Sequence, residues 1–394
     1  MGEGIIMNQA QAIKSVSQRP LRLRLDVPLL LIVVTLLVLG LVMVFSASTD
    51  FSFTVLGETP TYMFMRQLLY VGLGIAGATV LSLIDYHFYR RFVVPMLIIT
   101  LGALLVVIIF RSPSTYTIRT LIGGSVQPSE LAKLVIILYL SFWLYAKRDV
   151  LNQISFGLLP MAMILGITGG LIWKQPDLSA TATIFLLGGI LFFLAGGVWR
   201  QILMVFLVGI FMGWIMVTLS STGKDRWSAW IAGLQDMTKS SDQVMRTLES
   251  IIKGGWFGVG IGLGDVKGTG LPLAPSDSIF AVIAEETGLF GSAIVVGLFS
   301  LFLWRGLSIA KRAPDQLGSL LASGLTIWIV LEAMMNMMVI AGLFPVAGNA
   351  LPFISYGGST MVVTLAAVGI LMNIARQSTE KESNEGRSFS AVVD

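Results

Sequence analysis

The sequence predicts an all-α, polytopic integral membrane protein with about ten transmembrane helices and one long extracytoplasmic loop. Of its 394 residues, 55% are hydrophobic and only 12% are charged, and the mean hydropathy is +0.84. Charges at this density could not solvate the surface of a soluble protein of that size. The apolar residues also fall into runs of about 20, the length that a helix needs to cross the hydrocarbon core.

The predicted spans follow one another along the chain with short connections, except for one long gap. They cover residues 27–48, 65–84, 91–110, 128–146, 155–173, 177–197, 201–221, 278–304, 317–342 and 352–375. The first run follows a polar, basic segment and lacks a convincing small-residue cleavage pattern, so we expect a retained span and not a signal peptide. The runs divide the chain into an N-terminal tail (1–26), a transmembrane domain (27–375) and a C-terminal tail (376–394).

The distribution of Lys and Arg predicts that both tails are cytoplasmic. With that orientation, the short outer loops hold only Arg111, Arg119 and Lys174, whereas the cytoplasmic segments hold most of the other basic residues. The long loop at 222–277 is then extracytoplasmic. Because the cytoplasmic basic residues account for the net charge of +4, we predict no nucleic-acid partner.

The long loop contains two recognisable patterns. Val244, Leu248, Ile251 and Ile252 recur at helical spacing among charged residues, which predicts an amphipathic helix along the membrane surface. Eight glycines then fall within residues 254–270. Since no strand precedes this run and it should face the side without ATP, we expect a tight loop passing close to lipid or to another loop, and not a nucleotide site.

The composition excludes several kinds of catalytic site. The chain has no Cys, and His87 is its single histidine, which excludes disulfides, thiolate nucleophiles and zinc sites built on several histidines. No acidic cluster with metal-ligand spacing is evident in the sequence. Acid or base chemistry must therefore fall to carboxylates, Lys or Tyr.

Ionisable residues inside the predicted spans are candidate site residues, because charge at membrane depth is costly. Glu130 and Lys133 lie three residues apart, hence on one helix face. They could form a structural ion pair or line a polar cavity. Glu285, Glu286 and Glu332 lie within later spans, where each could face a cavity or belong to a buried hydrogen-bond network.

Two aspartates directly precede predicted spans. Asp277 follows Pro272 and Pro275 at the outer mouth of the eighth span, and Asp177 follows Pro176 just before the sixth. Residue type and position favour a helix N-cap, whose oxygen accepts amide hydrogens of the first turn. The alternative is a carboxylate that acts on a substrate at the membrane surface.

Four short motifs occur in order along the hydrophobic chain. They are QPSELAK at Gln127–Lys133, QPDL at Gln175–Leu178, GGWFGVGIG at Gly254–Gly262 and LPFISYGGS at Leu351–Ser359. Together they resemble the motifs of the SEDS family of membrane glycosyltransferases, to which FtsW, RodA and SpoVE belong, although Ser179 stands where the family has Gly after QPDL. The segment 369–376 is more similar to the FtsW end of the family than to the RodA end.

The segment around Asp277 resembles the family's catalytic motif, which is close to PEAHTDFIFA. Asp277 matches the family's aspartate, but Leu273, Pro275 and Ser278 stand where Glu, His and Phe are usual. The patch before the first motif keeps Arg119 but lacks the usual Asn-Gly and Trp. The resemblance therefore implies chemistry at Asp277 more firmly than it implies the family's ordinary substrate contacts.

The resemblance implies a peptidoglycan glycosyltransferase that polymerises lipid II, the undecaprenyl-diphosphate-linked disaccharide pentapeptide, during cell division or elongation. The reaction would take place at the outer face of the cytoplasmic membrane of a bacterium, with Asp277 as the general base of an inverting displacement. The substrate-binding candidates are Arg119, Glu130, Lys133, Asp177, Arg226, Lys253 and Ser355.

The resemblance also implies partners for the reaction. The basic candidates would neutralise the diphosphate, and a divalent cation, Mg²⁺ or Mn²⁺, could share that task. The implied protein partners are a class B penicillin-binding protein transpeptidase and other membrane proteins of the divisome or elongasome.

The residues alone leave two other functions open. A lipid II flippase would use the same spans and buried charges, but it should show inverted internal repeats, and no self-similar halves are visible. A non-enzymatic scaffold of the division machinery would tolerate replacement of Asp277.

Overall fold

The computed structural model describes residues 25–54, 56–110, 126–268 and 270–393, and the regular elements within these ranges are helical. The longer helices are α1 (Val27–Thr54), α2 (Tyr62–Leu83), α3 (Val93–Ile109), α4 (Pro128–Ala146), α5 (Leu159–Trp173), α6 (Leu178–Leu194), α7 (Trp199–Leu219), α8 (Ser221–Gln235), α9 (Asp242–Gly254), α10 (Ile279–Lys311), α11 (Gln316–Ile340) and α12 (Gly358–Val393). A π-helical turn, Ile154–Leu158, extends α5 at its start.

The apolar helices confirm the predicted polytopic architecture. Eight helices of the described ranges are long and apolar enough to cross a membrane, and α3 and α6 are shorter apolar helices of 17 residues each. Together they correspond one to one with the predicted spans. The last predicted span starts too early, because residues 352–357 form a loop, and α12 continues as a helix past the boundary predicted at 376.

The eighth span is broken into two helical segments, whereas the sequence pattern predicted one continuous helix. α10 consists of two segments joined at Gly288, whose φ of 67° is a left-handed conformation that favours glycine. The first segment, Ile279–Thr287, is almost entirely buried, whereas Leu289–Lys311 carries exposed apolar side chains. The break therefore separates a segment inside the protein from a segment that faces lipid.

The long loop contains two helices where the sequence predicted one. α9 confirms the predicted amphipathic helix, but it packs against α10 and buries Val244, Thr247, Ser250 and Gly254, while Ile252 is exposed. α8 has no counterpart in the prediction, because its residues lack a sustained hydrophobic period.

Residues 254–263, which we call the glycine loop, pack across the break in α10, and the two backbones are in direct contact. The amides of Val259 and Gly260 donate to the carbonyls of Glu285 and Glu286, at 3.0 Å each. A Cβ at Gly258 would collide with the Glu286 carbonyl, and the φ of 79° there also favours glycine. The predicted tight loop is thus confirmed, and its neighbour is a helix.

The most buried part of the bundle lies on its central helices. Phe299 and Phe302 of α10 and Trp328 of α11 are fully buried, and α4 and α12 contribute many further core residues. α7 lies at the periphery, since none of its residues, all of which are described, is buried. The buried ionisable residues lie on the central helices and on the loops that join them.

The two ends of the bundle differ in their polar contacts. Asp277 lies where α10 begins, which places the glycine loop, α8 and α9 at the same end. At the opposite end Arg305 forms two charge-assisted hydrogen bonds with Asp26, at 2.6 and 2.9 Å. His87, between α2 and α3, lies there between Asp85 and Asp315, at 2.8 and 2.7 Å.

We expect the stability of the protein to fall as the pH rises above about 6.5, the ordinary pKa of histidine. Partial burial of the His87 ring favours its neutral form, but hydrogen bonds and attraction to Asp85 and Asp315 outweigh this and raise the pKa of His87. A raised folded-state pKa contributes stability that is complete below the unfolded pKa and is lost as the pH passes the folded value. Because the His87 side chain is still 48% exposed, the effect should not exceed about 1 kcal/mol.

Thermal unfolding of the detergent-solubilised protein across this pH range measures the effect. His87→Asn removes the titrating group and should flatten the profile between pH 6 and 9. A profile that keeps its slope in His87→Asn would assign the pH dependence to other groups.

Candidate functional site

The segment that carries Asp277 lies directly before the buried first part of α10. Ser278 occupies the N-cap position of α10, and its hydroxyl donates to the Pro272 carbonyl at 2.8 Å instead of capping the helix. Gln243 of α9 donates to the same hydroxyl at 3.0 Å. Asp277 therefore lies one residue outside the cap position, half-buried at the mouth of the helix.

Three hydrogen bonds from distant parts of the chain fix the main chain of this segment. The Ser355 hydroxyl donates to the Ser276 carbonyl at 2.6 Å, and the Tyr356 amide donates to the Pro275 carbonyl at 2.8 Å. The side-chain amide of Asn336, on α11, donates to the Asp277 main-chain carbonyl at 2.8 Å. The LPFISYGGS motif and α11 thus hold the backbone on both sides of the aspartate.

Two residues of these segments have unfavourable backbone conformations. Leu273 has a φ of 51° and Phe353 a φ of 65°, a region that bulky side chains rarely adopt. Such conformations cost about 1–3 kcal/mol each and persist where the surrounding structure determines them, often at functional sites. Both lie on segments that meet beside Asp277, which agrees with a functional site there.

Lys133 confirms the predicted pairing with Glu130 and has a second partner. Its ammonium donates to Glu130 at 2.8 Å and to Glu332 of α11, and all three residues are buried. The ring of Trp328 lies 5.8 Å from the ammonium. Two carboxylates and one ammonium thus form a buried charge cluster between α4 and α11.

The charge cluster is linked to the Asp277 segment through α11. Glu332, which binds Lys133, and Asn336, which binds the Asp277 carbonyl, lie four residues apart and hence on one face of the helix. The sequence gives no signal for the role of Asn336, because its two partners, the carbonyls of Asp277 and Asn349, come from other segments.

Asp177 connects two of the sequence motifs. One oxygen accepts a hydrogen bond from the backbone N–H of Ala180 at 3.2 Å and so caps α6. The other accepts hydrogen bonds from the Ser129 hydroxyl at 3.2 Å and from the side-chain amide of Gln127 at 3.3 Å. The residue is 3% exposed. The N-cap role is therefore confirmed, and a role of Asp177 in substrate binding stays a prediction.

Glu285 and Glu286 belong to a buried network that holds the segment after the glycine loop. Glu285 accepts the amides of Asp265 and Val266, at 2.9 and 3.2 Å. Glu286 pairs with Lys267 at 2.7 Å and accepts the Ser46 hydroxyl of α1 at 2.6 Å. Both glutamates are 1% exposed, which supports the network that the sequence left open as one alternative.

A cavity of about 550 Å³ at the Asp277 end is lined in part by Arg66, a basic residue that lies in none of the sequence motifs. It is lined by Thr59, Tyr62, Met65, Arg66, Leu69 and Tyr70. The Arg66 guanidinium donates to the hydroxyls of Tyr62 and Tyr70, at 3.0 and 3.1 Å. The Tyr70 ring lies 6.4 Å from that of Tyr356, so the cavity adjoins the loop that binds the Asp277 segment.

Two of the remaining predicted substrate contacts lie on the helices of the long loop, and the third lies outside the described residues. Arg226 lies on α8, and Lys253, near the end of α9, is exposed and pairs with Glu249 at 3.1 Å. Arg119 lies outside the described residues. Arg226 and Lys253 are thus at the same end of the bundle as Asp277, and their roles stay predictions.

No set of side chains in the described ranges fits a resident metal ion. Within those ranges no group of three or more His, Asp or Glu side chains is arranged to hold a cation. The Glu130 and Glu332 carboxylates instead surround the Lys133 ammonium.

The chain is similar to proteins of one family in sequence. Residues 27–380 match the family model described as cell cycle protein and named after FtsW, RodA and SpoVE. The chain is 38% identical to a probable peptidoglycan glycosyltransferase FtsW of Trichlorobacter lovleyi over 365 residues, 91% of this chain and 95% of that protein. It is 34% identical to stage V sporulation protein E of Bacillus subtilis over 364 residues, 89% of this chain and 97% of that protein.

Solved structures share the same fold. Rod shape determining protein RodA of Thermus thermophilus superposes with a TM-score of 0.67 at 25% identity, covering 91% of this chain and 99% of that chain. A chain from a peptidoglycan synthase complex, described as coordinating polymerization and crosslinking, superposes with a TM-score of 0.71 at 24% identity, covering 90% of this chain and 98% of that chain.

Proposed function

Because the chain belongs to the FtsW, RodA and SpoVE family of cell cycle proteins, we propose that it is a peptidoglycan glycosyltransferase that polymerises lipid II. The observation that carries the proposal is the position of Asp277. It is a half-buried carboxylate at the mouth of a helix, on a segment held by Ser355, Tyr356 and Asn336. A group fixed in this way is suited to a single proton transfer.

In the proposed reaction Asp277 acts as the general base. Its carboxylate accepts the proton of the acceptor hydroxyl, and the hydroxyl oxygen attacks the anomeric carbon of the donor sugar. The bond from that carbon to the diphosphate breaks, and undecaprenyl diphosphate leaves with the electron pair. One displacement inverts the configuration, so an α-linked donor yields a β-linked glycan.

The diphosphate leaving group requires positive charge, and Arg66 is the cation best placed to supply it. Lys133 is already paired with two carboxylates, and Lys253 pairs with Glu249. The phenols of Tyr62 and Tyr70 orient the Arg66 guanidinium at the edge of a cavity. A guanidinium held in this way matches the oxygen geometry of a phosphate group.

We expect Arg66→Gln to reduce kcat/KM for lipid II by about 10- to 100-fold, because a hydrogen bond to a charged group contributes about 1.5–3 kcal/mol. Arg66→Lys keeps the charge but loses the planar fork, so its activity should lie between those of Arg66→Gln and wild type. Thermal unfolding of both variants controls for stability. If Arg66→Gln stays within twofold of wild type, Arg66 does not bind the diphosphate.

Polymerisation of purified lipid II tests the proposed function directly. The chain should form glycan strands, resolved on a gel, and form them faster when a class B penicillin-binding protein is added as partner. Proteoliposomes with fluorescent lipid II measure translocation in the same preparation. Translocation without glycan synthesis would make the protein a flippase, and neither activity would favour a scaffold.

The proposed reaction also requires Asp277 to face the outer side of the cytoplasmic membrane. We therefore expect alkaline phosphatase fused within residues 222–240 to be active, and phosphatase fused after residue 376 to be inactive, since both termini should be cytoplasmic. A green fluorescent protein fused at the two points should show the opposite pattern. The reverse result for both reporters would invert the topology and remove Asp277 from the side where lipid II is polymerised.

A further inference from the structure

We propose that the glycine loop is a membrane anchor, in which Trp256 and Phe257 insert into the outer interfacial layer of the bilayer. Trp256 is 72% exposed and Phe257 is 84% exposed. Ile261 and Leu263, on the same loop, are 60% and 71% exposed. Exposed apolar surface of this kind on consecutive turns of a loop is typical of an interaction surface.

Part of the backbone of the loop is bonded to other groups of the protein. Besides the bonds from Val259 and Gly260, the amide of Leu289 donates to the Gly255 carbonyl at 2.9 Å, and that of Phe290 donates to the Trp256 carbonyl at 3.1 Å. These bonds fix the loop against α10. The interfacial layer, unlike the hydrocarbon core, still offers water to the remaining backbone groups.

The position of the loop along α10 places it at the edge of the hydrocarbon core. The segment from Leu289 to Trp304, which ends before Arg305 at the opposite end of the bundle, is about 24 Å long at 1.5 Å per residue and so crosses most of the roughly 30 Å core. Gly288, and the glycine loop bonded beside it, therefore lie close to the outer boundary. Trp side chains are enriched at this depth, because the indole has an apolar body and one polar N–H group.

The loop also continues the lipid-facing surface of α10. Leu289 and Phe290 are 54% and 64% exposed and lie directly beside Gly255 and Trp256 through the backbone bonds described above. Further along the helix Leu301 and Trp304 are exposed as well. One apolar surface thus runs from the membrane-spanning segment onto the loop, which identifies acyl chains and their headgroup boundary as the occupant.

Such an anchor would set the height of Asp277 above the membrane, a consequence that rests on the proposed function. Glu285 and Glu286 bind the segment that follows the glycine loop, at Asp265, Val266 and Lys267. That segment leads directly to Asp277. Lipid contact at the loop therefore fixes the level at which the carboxylate meets a lipid-linked sugar.

Spin labelling tests the anchor without reference to activity. Because the chain has no Cys, Phe257→Cys carries a single nitroxide label, and the high exposure of Phe257 makes the substitution compatible with folding. Matched single-cysteine controls are Leu301→Cys on the lipid-facing part of α10 and Lys239→Cys on the long loop. Each protein is reconstituted into phospholipid nanodiscs, and collisions with oxygen and with a water-soluble nickel chelate are measured.

We expect the ratio of oxygen to nickel collisions at position 257 to be several-fold higher than at 239 and lower than at 301, which lies deeper in the hydrocarbon core. A ratio equal to that at position 239 would place the loop in water and overturn the proposal. Low collision rates with both reagents would mean that protein covers the loop, which would overturn it equally. Neither result would affect the proposed glycosyltransferase function, since lipid II polymerisation is measured separately.

Discussion

Asp277→Asn should leave a folded protein that polymerises lipid II at or below about one per cent of the wild-type rate, because general base catalysis typically contributes 10²- to 10⁴-fold. The amide has nearly the same volume as the carboxylate and keeps an oxygen acceptor, but it cannot take up a proton. The bonds from Ser355, Tyr356 and Asn336 end on main-chain carbonyls. They should therefore survive the substitution.

The comparison uses the purified variant with its partner transpeptidase, glycan products on a gel, and thermal unfolding. Asp265→Asn is the matched control, since it makes the same change at an exposed aspartate of the same loop and should keep full activity. A purely structural role predicts a loss of stability with activity retained. If Asp277→Asn melts like wild type and still makes long glycan at more than a tenth of the normal rate, another group is the base.

Lys133→Met should be the most destabilising single change in the buried charge cluster, at about 3–5 kcal/mol. The methionine has a similar volume, but Glu130 and Glu332 are then left in the core without their shared cation. Glu332→Gln should cost less, because the pair of Lys133 and Glu130 persists. Unfolding in detergent and the yield of monodisperse protein measure the difference.

A triple variant separates stability from function in this cluster. Lys133→Met combined with Glu130→Gln and Glu332→Gln contains no buried charge, so it should recover much of the lost stability. Its activity should stay low if the cluster contributes its charge to substrate binding. Equal stability of Lys133→Met and wild type would mean that the two carboxylates are neutral in the folded protein, and the ion-pair description would be wrong.

The spans could be predicted because a membrane helix is determined by local composition. Ten apolar runs are visible without knowledge of tertiary contacts, and the helical period of residues 242–253 is equally local. The break at Gly288 was not predictable in this way. A single glycine is common inside a span, and its φ of 67° depends on the glycine loop that bonds to both sides of it.

The site could be predicted only in part, for a similar reason. Glu130 and Lys133 are one helical turn apart, so their pairing follows from spacing. Their third partner, Glu332, and the role of Asn336 depend on how α11 packs against α4 and the Asp277 segment. The cavity at Arg66 is lined by α2 and the turn before it, but its position beside the Asp277 segment depends on the approach of Tyr356 to α2.

The main-chain anchoring of Asp277 also explains how the sequence around it can change while the aspartate stays in place. Each of the three bonds from Ser355, Tyr356 and Asn336 ends on a carbonyl, a group that every amino acid carries. The side chains at 273 and 275 are therefore not needed to position the carboxylate. Other side chains at these two positions that keep the local backbone should thus leave in place the carboxylate that we propose performs the chemistry.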